Sequence, residues 1–313
     1  MSGYVGRIAP SPTGALHLGN VRTFMVAWLR ARSQGGRVIL RIEDLDHPKD
    51  KPGAAAQAVA DLRWLGFDWD ETYVQSARKP LYRDALAHLV PRGLAYPCVC
   101  SRRDVEAAQS APHAGEQLFY PGTCRGRFAS WEDAVTFKKD RGDADLRPCW
   151  RFRVPDGAVV SFEDAFAGRQ EQDVSRVLGD FPLARDEFGA GYTLACTVDD
   201  LLMGVTEVVR GDDLLPATPA QILVAQALHP SSPSPPPTYL HVPLVVGRDG
   251  RRLAKRHGDT RIAAYRAQGV RPEEILGRLA ASCGWAADGE RTTLAGLLPR
   301  FDLATIPRAP FMI

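Results

Sequence analysis

Hydrophobic positions recur along this chain with two periods. Val5 and Ile8 supply the apolar end of a first strand. Leu18, Val21, Met25, Trp28 and Leu29 then fall at helical spacing, so a helix follows. Residues 37–42 are β-branched and aliphatic and read as a second buried strand. Strand, helix and strand at this spacing form a βαβ unit, which predicts a parallel sheet with ligands held beyond the carboxyl ends of its strands. Residues 53–65 and 80–92 read as core-packing helices, the second opened by Pro80 and followed by Gly93. Residues 206–209 read as a strand, 218–228 as a helix and 242–246 as a strand that turns at Gly247-Arg248-Asp249-Gly250. Short helices over 262–268, 273–283 and 293–298 make a small helical end. Residues 96–191 interrupt this alternation and read as an insertion, within which 150–154 and 159–162 look like a hairpin around Pro155-Asp156-Gly157.

Composition narrows the class without naming a function. The 313 residues are 45% hydrophobic and 24% charged, an ordinary globular balance. No long apolar run is present, so neither a signal peptide nor a membrane span is expected, and the expected compartment is the cytoplasm. The net charge of +2 is low for a dedicated nucleic-acid binder, although a local basic patch suffices for RNA. Six cysteines in a chain expected to be cytosolic point to a metal or to buried thiols rather than to disulfides.

Candidate chemistry gathers at the end of the first strand. In R-I-A-P-S-P-T-G-A-L-H-L-G-N, residues 7–20, Pro10 and Pro12 stiffen a loop, and Gly14 and Gly19 let backbone approach a ligand. His17 falls at the helix N-terminus, where backbone N–H groups and the helix dipole favour an anion. The plainer reading is a βα turn with a helix-capping histidine. Arg7, Ser11 and Glu43 fall near strand ends; for Glu43 and Asp44 a solvated strand end or an ion pair is the alternative. Cys98-Val99-Cys100 with Cys124 supplies three thiolates, and one more donor would close a tetrahedral zinc site. His113 is one candidate for that donor. Without a metal, these are reduced buried cysteines beside a core Tyr120. Arg125, Arg127, Lys138, Lys139 and Arg147 make the insertion locally basic, as a solvated face or as a phosphate-facing one. Arg210 ends a buried strand, with an ion pair to Asp212 or Asp213 as its structural alternative.

Residues 7–20, R-I-E-D-L-D at 41–46 and V-V-R-G-D-D-L-L at 208–215 together resemble the glutamyl- and glutaminyl-tRNA synthetases of class I. The resemblance implies an α/β, Rossmann-like class I synthetase catalytic domain with a zinc-bearing insertion and a small helical C-terminal end. The division expected is 1–95 and 192–259 for the two halves of the catalytic domain, 96–191 for the insertion and 260–313 for the helical end. His17-Leu18-Gly19-Asn20 takes the place of the HIGH motif, and residues 251–256 that of KMSKS. Arg252 replaces its first Lys, Ala254 its Ser, and Lys255 matches its second Lys. By the same resemblance, His17 and Lys255 are catalytic, and His17, Gly19, Asn20 and Lys255 bind ATP with Mg²⁺. Arg7, Ala9, Ser11, Glu43, Tyr192 and Arg210 bind L-glutamate, Glu43 taking the α-ammonium and Arg210 the side-chain carboxylate. Cys98, Cys100, Tyr120 and Cys124 hold one structural zinc. The likeness is closest to the short members of the family, which act as monomers on the anticodon arm of tRNA(Asp) and place glutamate on a wobble-position queuosine. The alternatives are a shortened enzyme charging the 3′ end of tRNA(Glu) and a non-catalytic RNA-binding paralogue.

Overall fold

The computed structural model describes residues 3–12, 14–45, 52–107, 119–142, 147–187, 189–229, 235–251, 253 and 260–313. Asp46, His113, Arg252, Ala254, Lys255 and Arg256 lie outside the described residues. The opening unit is β1 (Val5–Ile8), α1 (Leu18–Ser33) and β2 (Arg37–Ile42), with Val5 opposite Arg37 in a parallel pair. Then come α2 (Ala54–Trp64), β3 (Glu71–Val74) and α3 (Lys79–Leu89). The next stretch carries β4 (Ala95–Cys98), α4 (Arg102–Ala107), α5 (Trp131–Asp140), β5 (Cys149–Phe152), β6 (Val159–Asp164), β7 (Gly168–Asp173), α6 (Val174–Val177) and β8 (Phe181–Ala184). The chain continues through α7 (Tyr192–Leu202), β9 (Glu207–Gly211), α8 (Thr218–Leu228), β10 (Thr238–Val242) and β11 (Val245–Val246). It closes with α9 (Ile262–Ala267), α10 (Pro272–Ala281), α11 (Leu294–Leu297) and β12 (Phe311–Met312).

One sheet has the order β1-β2-β3 and another β7-β6-β10-β9. They meet where the chain entering β9 lies beside β1: Thr206 N donates to Val5 O at 2.9 Å, and Val5 N to Thr206 Oγ1 at 3.0 Å. The combined order is therefore β3-β2-β1-β9-β10-β6-β7. Strands following β1 build to one side; on the other, β10 follows β9, and β6 and β7 from earlier in the chain complete the sheet. The crevice beyond the carboxyl ends of β1 and β9 is the place where such a sheet holds its ligand.

The expected hairpin of 150–154 with 159–162 does not form. β5 pairs antiparallel with β4 and β8, whereas β6 pairs antiparallel with β7 and in parallel with β10. Pro155-Asp156-Gly157, with Gly157 at φ 71°, carries the chain between two sheets instead of reversing it within one. The true reversal follows β6. There the Asp164 carboxylate accepts from the N–H groups of Phe166 and Ala167, and Gly168 takes φ 76°, which a side chain would strain. The strand expected at 242–246 begins earlier, at Thr238; Pro243, which has no N–H to donate, interrupts it before β11.

Two cores fix the elements that flank the crevice. Met25, Leu29, Leu40, Leu279 and Leu297 pack α1 between the sheet and the helical end. Tyr82, Leu89, Phe152, Leu183 and Val224 pack α3, α7 and α8 against the β4-β5-β8 sheet. Burying each such side chain contributes about 1.5–3 kcal/mol. Arg22, also fully buried, donates to Pro243 O at 2.7 Å and to Ser282 Oγ at 2.9 Å, fastening α1 to both β10's end and α10's end.

Candidate active site

The loop after β1 is held from two sides. Glu43 N donates to Pro10 O at 3.0 Å, joining the ends of β1 and β2. Ile262 N donates to Leu16 O at 2.9 Å and Leu18 N to Thr260 O at 3.1 Å, so the chain that follows residues 251–256 returns to the His17 turn. His17 is the N-cap of α1. Its Nδ1 accepts from Gly19 N at 3.1 Å while its own N–H donates to Asn20 Oδ1 at 3.1 Å. A Cβ on Gly19 would stand 3.0 Å from His17 Cε1, so glycine is what lets the imidazole lie along the helix tip. With Nδ1 accepting, the neutral ring carries its proton on Nε2. Capping and anion contact thus use opposite edges of one ring, and the two sequence readings of His17 are compatible.

Behind the loop lies a buried charge network. Arg41 Nη1 donates to Asp200 Oδ1 at 2.6 Å and Nη2 to Glu43 Oε1 at 3.0 Å. Burial alone would lower the Arg41 pKa, but Asp200, Cys196 and Glu43 carry it well above the usual value. Arg7 donates through Nη1 to Val209 O at 2.7 Å, and its Nε lies 3.6 Å from Asp200 Oδ1. Glu43 is therefore ion-paired with Arg41 of the strand that leads to it, and it lines the crevice as well.

Arg210 does not pair with Asp212 or Asp213. Its Nε donates to His241 Nε2 at 2.9 Å, Nη2 to Thr218 Oγ1 at 2.8 Å and Leu214 O at 3.4 Å, and Nη1 to Tyr192 OH at 3.4 Å. All four acceptors are uncharged, because burial holds the His241 pKa below its ordinary value. A cation 95% removed from solvent is thus held, among the described residues, without a carboxylate at ion-pair distance.

The crevice is one cavity of about 460 Å³. Arg7, Ala9, Ser11, Glu43, Tyr192 and Arg210 line it, as do His17, Gly19 and Asn20; Lys255 lies outside the described residues. Sequence reading gave no role to Arg41, Asp164, Asp200 or His241. The available signal was an ionisable residue among apolar neighbours, such as His241 within T-Y-L-H-V.

A second cluster sits where β4 ends. The Sγ atoms of Cys98, Cys100 and Cys124 lie within 4.8 Å of one another, Cys100 and Cys124 at 3.6 Å. Tyr120 OH stands 3.3 Å from Cys98 Sγ and 3.7 Å from Cys100 Sγ. Tetrahedral Zn–S bonds of about 2.3 Å give S···S edges of about 3.8 Å, so this donor set can hold a metal ion. Hydrogen bonds from the Cys100 and Cys124 thiols favour a thiolate at Cys98, and Arg151, whose Nε is 3.1 Å from that sulfur, adds to the effect. All six cysteines are free thiols. Arg125, one of the basic residues read as a solvated or a phosphate-facing face, is taken up by Asp180 at 2.6 Å and Asp156 at 2.9 Å. Among the described residues no helix is long and apolar enough to cross a membrane.

Residues 4–298 match the family model for the catalytic domain of tRNA synthetases class I (E and Q). The chain is 48% identical to the glutamyl-Q tRNA(Asp) synthetase of Symbiobacterium thermophilum, over 98% of this chain and 95% of that one. It is 46% identical to the protein of the same name from Rhodopirellula baltica, over 100% and 97%. Its fold is similar to the crystal structure of a glutamate tRNA ligase from Elizabethkingia meningosepticum in complex with its amino acid, with a TM-score of 0.81 and 26% identity over 100% of this chain and 67% of that one. With its parallel sheet, its crevice at the change of strand order and its capped His17 turn, the chain belongs to the class I tRNA synthetases of the E and Q type, and it is a ligase.

Proposed function

We propose that this ligase activates L-glutamate with ATP, without RNA, and transfers the glutamate to queuosine at the wobble position of tRNA(Asp). The observation carrying the first half is the convergence of residues 7–20, Glu43, Tyr192 and Arg210, four separate stretches of the chain, on one crevice. Glutamate is a zwitterion with a second carboxylate. Glu43 binds its ammonium, Arg210 its side-chain carboxylate through the Nη1 edge, and Arg7 and Ser11 lie beside it. A glutamine carboxamide would leave the Arg210 charge buried and unpaired, a cost of about 3–5 kcal/mol. Selection through a polar group in this way exceeds what an apolar pocket achieves.

In the first step a glutamate α-carboxylate oxygen attacks the α-phosphorus of ATP. The bond to the bridging oxygen breaks, and pyrophosphate leaves with its electron pair. The carboxylate is ionised at neutral pH, so no general base is needed, and the protein supplies position and charge. His17 Nε2–H and the α1 N-terminus are assigned to the phosphates, and Lys255 is assigned to them by its match to the second Lys of KMSKS. Mg²⁺ entering with ATP neutralises phosphate charge. In the second step a queuosine hydroxyl attacks the acyl carbon, AMP leaves with the electron pair of the C–O bond, and the hydroxyl proton passes to solvent or phosphate.

The queuosine half rests on the names of relatives that this chain matches nearly end to end. A basic cavity of about 670 Å³ beside Cys100, lined by Arg102, Arg103, Arg127, Lys138 and Arg141 with Asp104, suits RNA phosphates. Cys98, Cys100, Cys124 and Tyr120 would hold a structural zinc, which would fix this region, taken as 96–191. Glutamate-dependent ATP–pyrophosphate exchange, run in parallel with glutamine and aspartate, tests the activation. Transfer of labelled glutamate to tRNA(Asp) with and without queuosine, each lacking its 3′-terminal adenosine, tests the acceptor. Loss of transfer on removing that adenosine would point to 3′-end charging, and absence of exchange to a non-catalytic RNA binder.

A further inference from the structure

Arg210 is oriented by groups that no substrate touches. His241 on β10 and Asp164 on β6 both have side chains fully removed from solvent, with Nδ1 2.7 Å from Asp164 Oδ2. The same carboxylate accepts from the backbone N–H groups of Phe166 at 3.0 Å, Ala167 at 2.7 Å and His241 at 3.1 Å. A carboxylate so supplied with donors is an acceptor only, so the proton between the two side chains belongs to His241 Nδ1. That leaves Nε2 as a lone pair, and it meets the Arg210 Nε–H at 2.9 Å. An imidazolium would set N–H against N–H there. The ring also lies parallel to Tyr239, with centroids 6.2 Å apart and planes at 10°, which fixes its rotation.

From these contacts we infer that His241, held by Asp164 in the Nδ1–H tautomer, is a positioning residue for amino-acid selection: it turns the Arg210 guanidinium toward the crevice without neutralising it. A carboxylate in the place of His241 would orient Arg210 equally well but would also pair with it, and the site would lose its demand for an anionic side chain. A neutral acceptor gives orientation and leaves the charge for the ligand. The strand that supplies Asp164 comes from the stretch between β4 and α7, so the amino-acid pocket is completed by a segment remote from it in sequence. The inference rests on the reading of Arg210 as the side-chain carboxylate site and deepens it.

The test is ATP–pyrophosphate exchange by the full chain. His241→Phe keeps the flat ring against Tyr239 and removes the acceptor; His241→Gln returns an acceptor near Nε2. His241→Phe raises the KM for glutamate about tenfold or more and lowers the glutamate-to-glutamine preference by a like factor, while the KM for ATP stays put. His241→Gln recovers most of both. Selective ¹⁵N labelling of imidazole in the unsubstituted protein gives His241 the signature of a bare Nε2 and a protonated Nδ1, a readout that survives if His241→Phe fails to fold. A protonated Nε2 overturns the inference. So does a His241→Phe enzyme with unchanged glutamate KM and preference while Arg210→Gln loses both. If Arg210→Gln itself leaves the glutamate KM unchanged, the reading of Arg210 fails first.

Discussion

Asp200 stands between two buried guanidinium groups, its Oδ1 2.6 Å from Arg41 Nη1 and 3.6 Å from Arg7 Nε. One carboxylate thus sets the spacing of the arginine that holds Glu43 and of the arginine that lines the crevice from β1. Replacing it by Asn keeps the shape and removes the charge. Asp200→Asn leaves the two cations under-compensated in a dry site, and the expected loss of stability is about 3–5 kcal/mol. Urea unfolding monitored by tryptophan fluorescence measures it. In the fraction that folds, Glu43 is freed from its fixed position, and the KM for glutamate in exchange rises more than the KM for ATP.

His17 caps α1 through Nδ1, and the phosphate contact proposed for it uses Nε2, so substitution can separate the two tasks. Asn is a strong N-cap residue and lacks the second edge. His17→Asn is expected to hold stability within about 0.5 kcal/mol, whereas His17→Ala loses about 1 kcal/mol. Both lower kcat for exchange, by about 10²–10³-fold if the ring stabilises charge on the transferring phosphate. Thermal melts and steady-state exchange on the same preparations check the pair. Equal activity of His17→Asn and the unsubstituted protein would reduce His17 to a cap.

What the sequence made legible follows from how local each signal is. The β1-α1-β2 unit was readable because its apolar period changes at each end of the helix, first across Pro10, Pro12 and Gly14 and again at Gly35-Gly36. Arg7, His17, Glu43 and Arg210 were readable because each sits in a dense motif at a strand or helix end. Pairing across long separations was not. Nothing local tells that β6 seeks β10 instead of β5, since a Pro-Asp-Gly turn fits either a hairpin or a link between sheets. His241 and Asp164 were passed over for the same reason: neither sits in a motif, and the meaning of each comes from a partner 77 residues away. The pairing of Arg125 was not legible either, because a run of basic residues does not reveal that one of them is already paired with Asp180.

The cysteine cluster predicts a metal content with a structural readout. Cys149 opens β5 opposite Cys98, and Trp150, next along, stacks on Trp131 with ring centroids 5.2 Å apart. Zinc bound to Cys98, Cys100, Cys124 and Tyr120 would therefore be felt by this tryptophan pair. Purified protein is expected to carry roughly one zinc per chain by elemental analysis, and Cys124→Ser well below that. Chelation should change near-ultraviolet circular dichroism and lower the melting temperature. At a thousandfold excess of zinc over its dissociation constant, the stabilisation is about 4 kcal/mol. Protein with no zinc and an unmoved melt after chelation would make these cysteines plain core thiols.

The basic cavity beside Cys100 separates phosphate contact from a merely solvated face. Arg103 and Arg141 line it from α4 and from the end of α5, and Arg127 lies over the Phe137 ring at 4.4 Å, a contact that places its charge with little loss of mobility on binding. Each cation on a phosphate releases counterions, so affinity for RNA falls with salt in proportion to their number. Arg103→Gln combined with Arg141→Gln is expected to reduce the slope of log affinity against log salt by about 2 for tRNA(Asp). Filter binding from low to moderate salt gives the slope, and glutamate-dependent exchange on the same preparation counts active enzyme. A slope equal to that of the unsubstituted protein would leave these arginines as surface charge and move the RNA path elsewhere on the molecule.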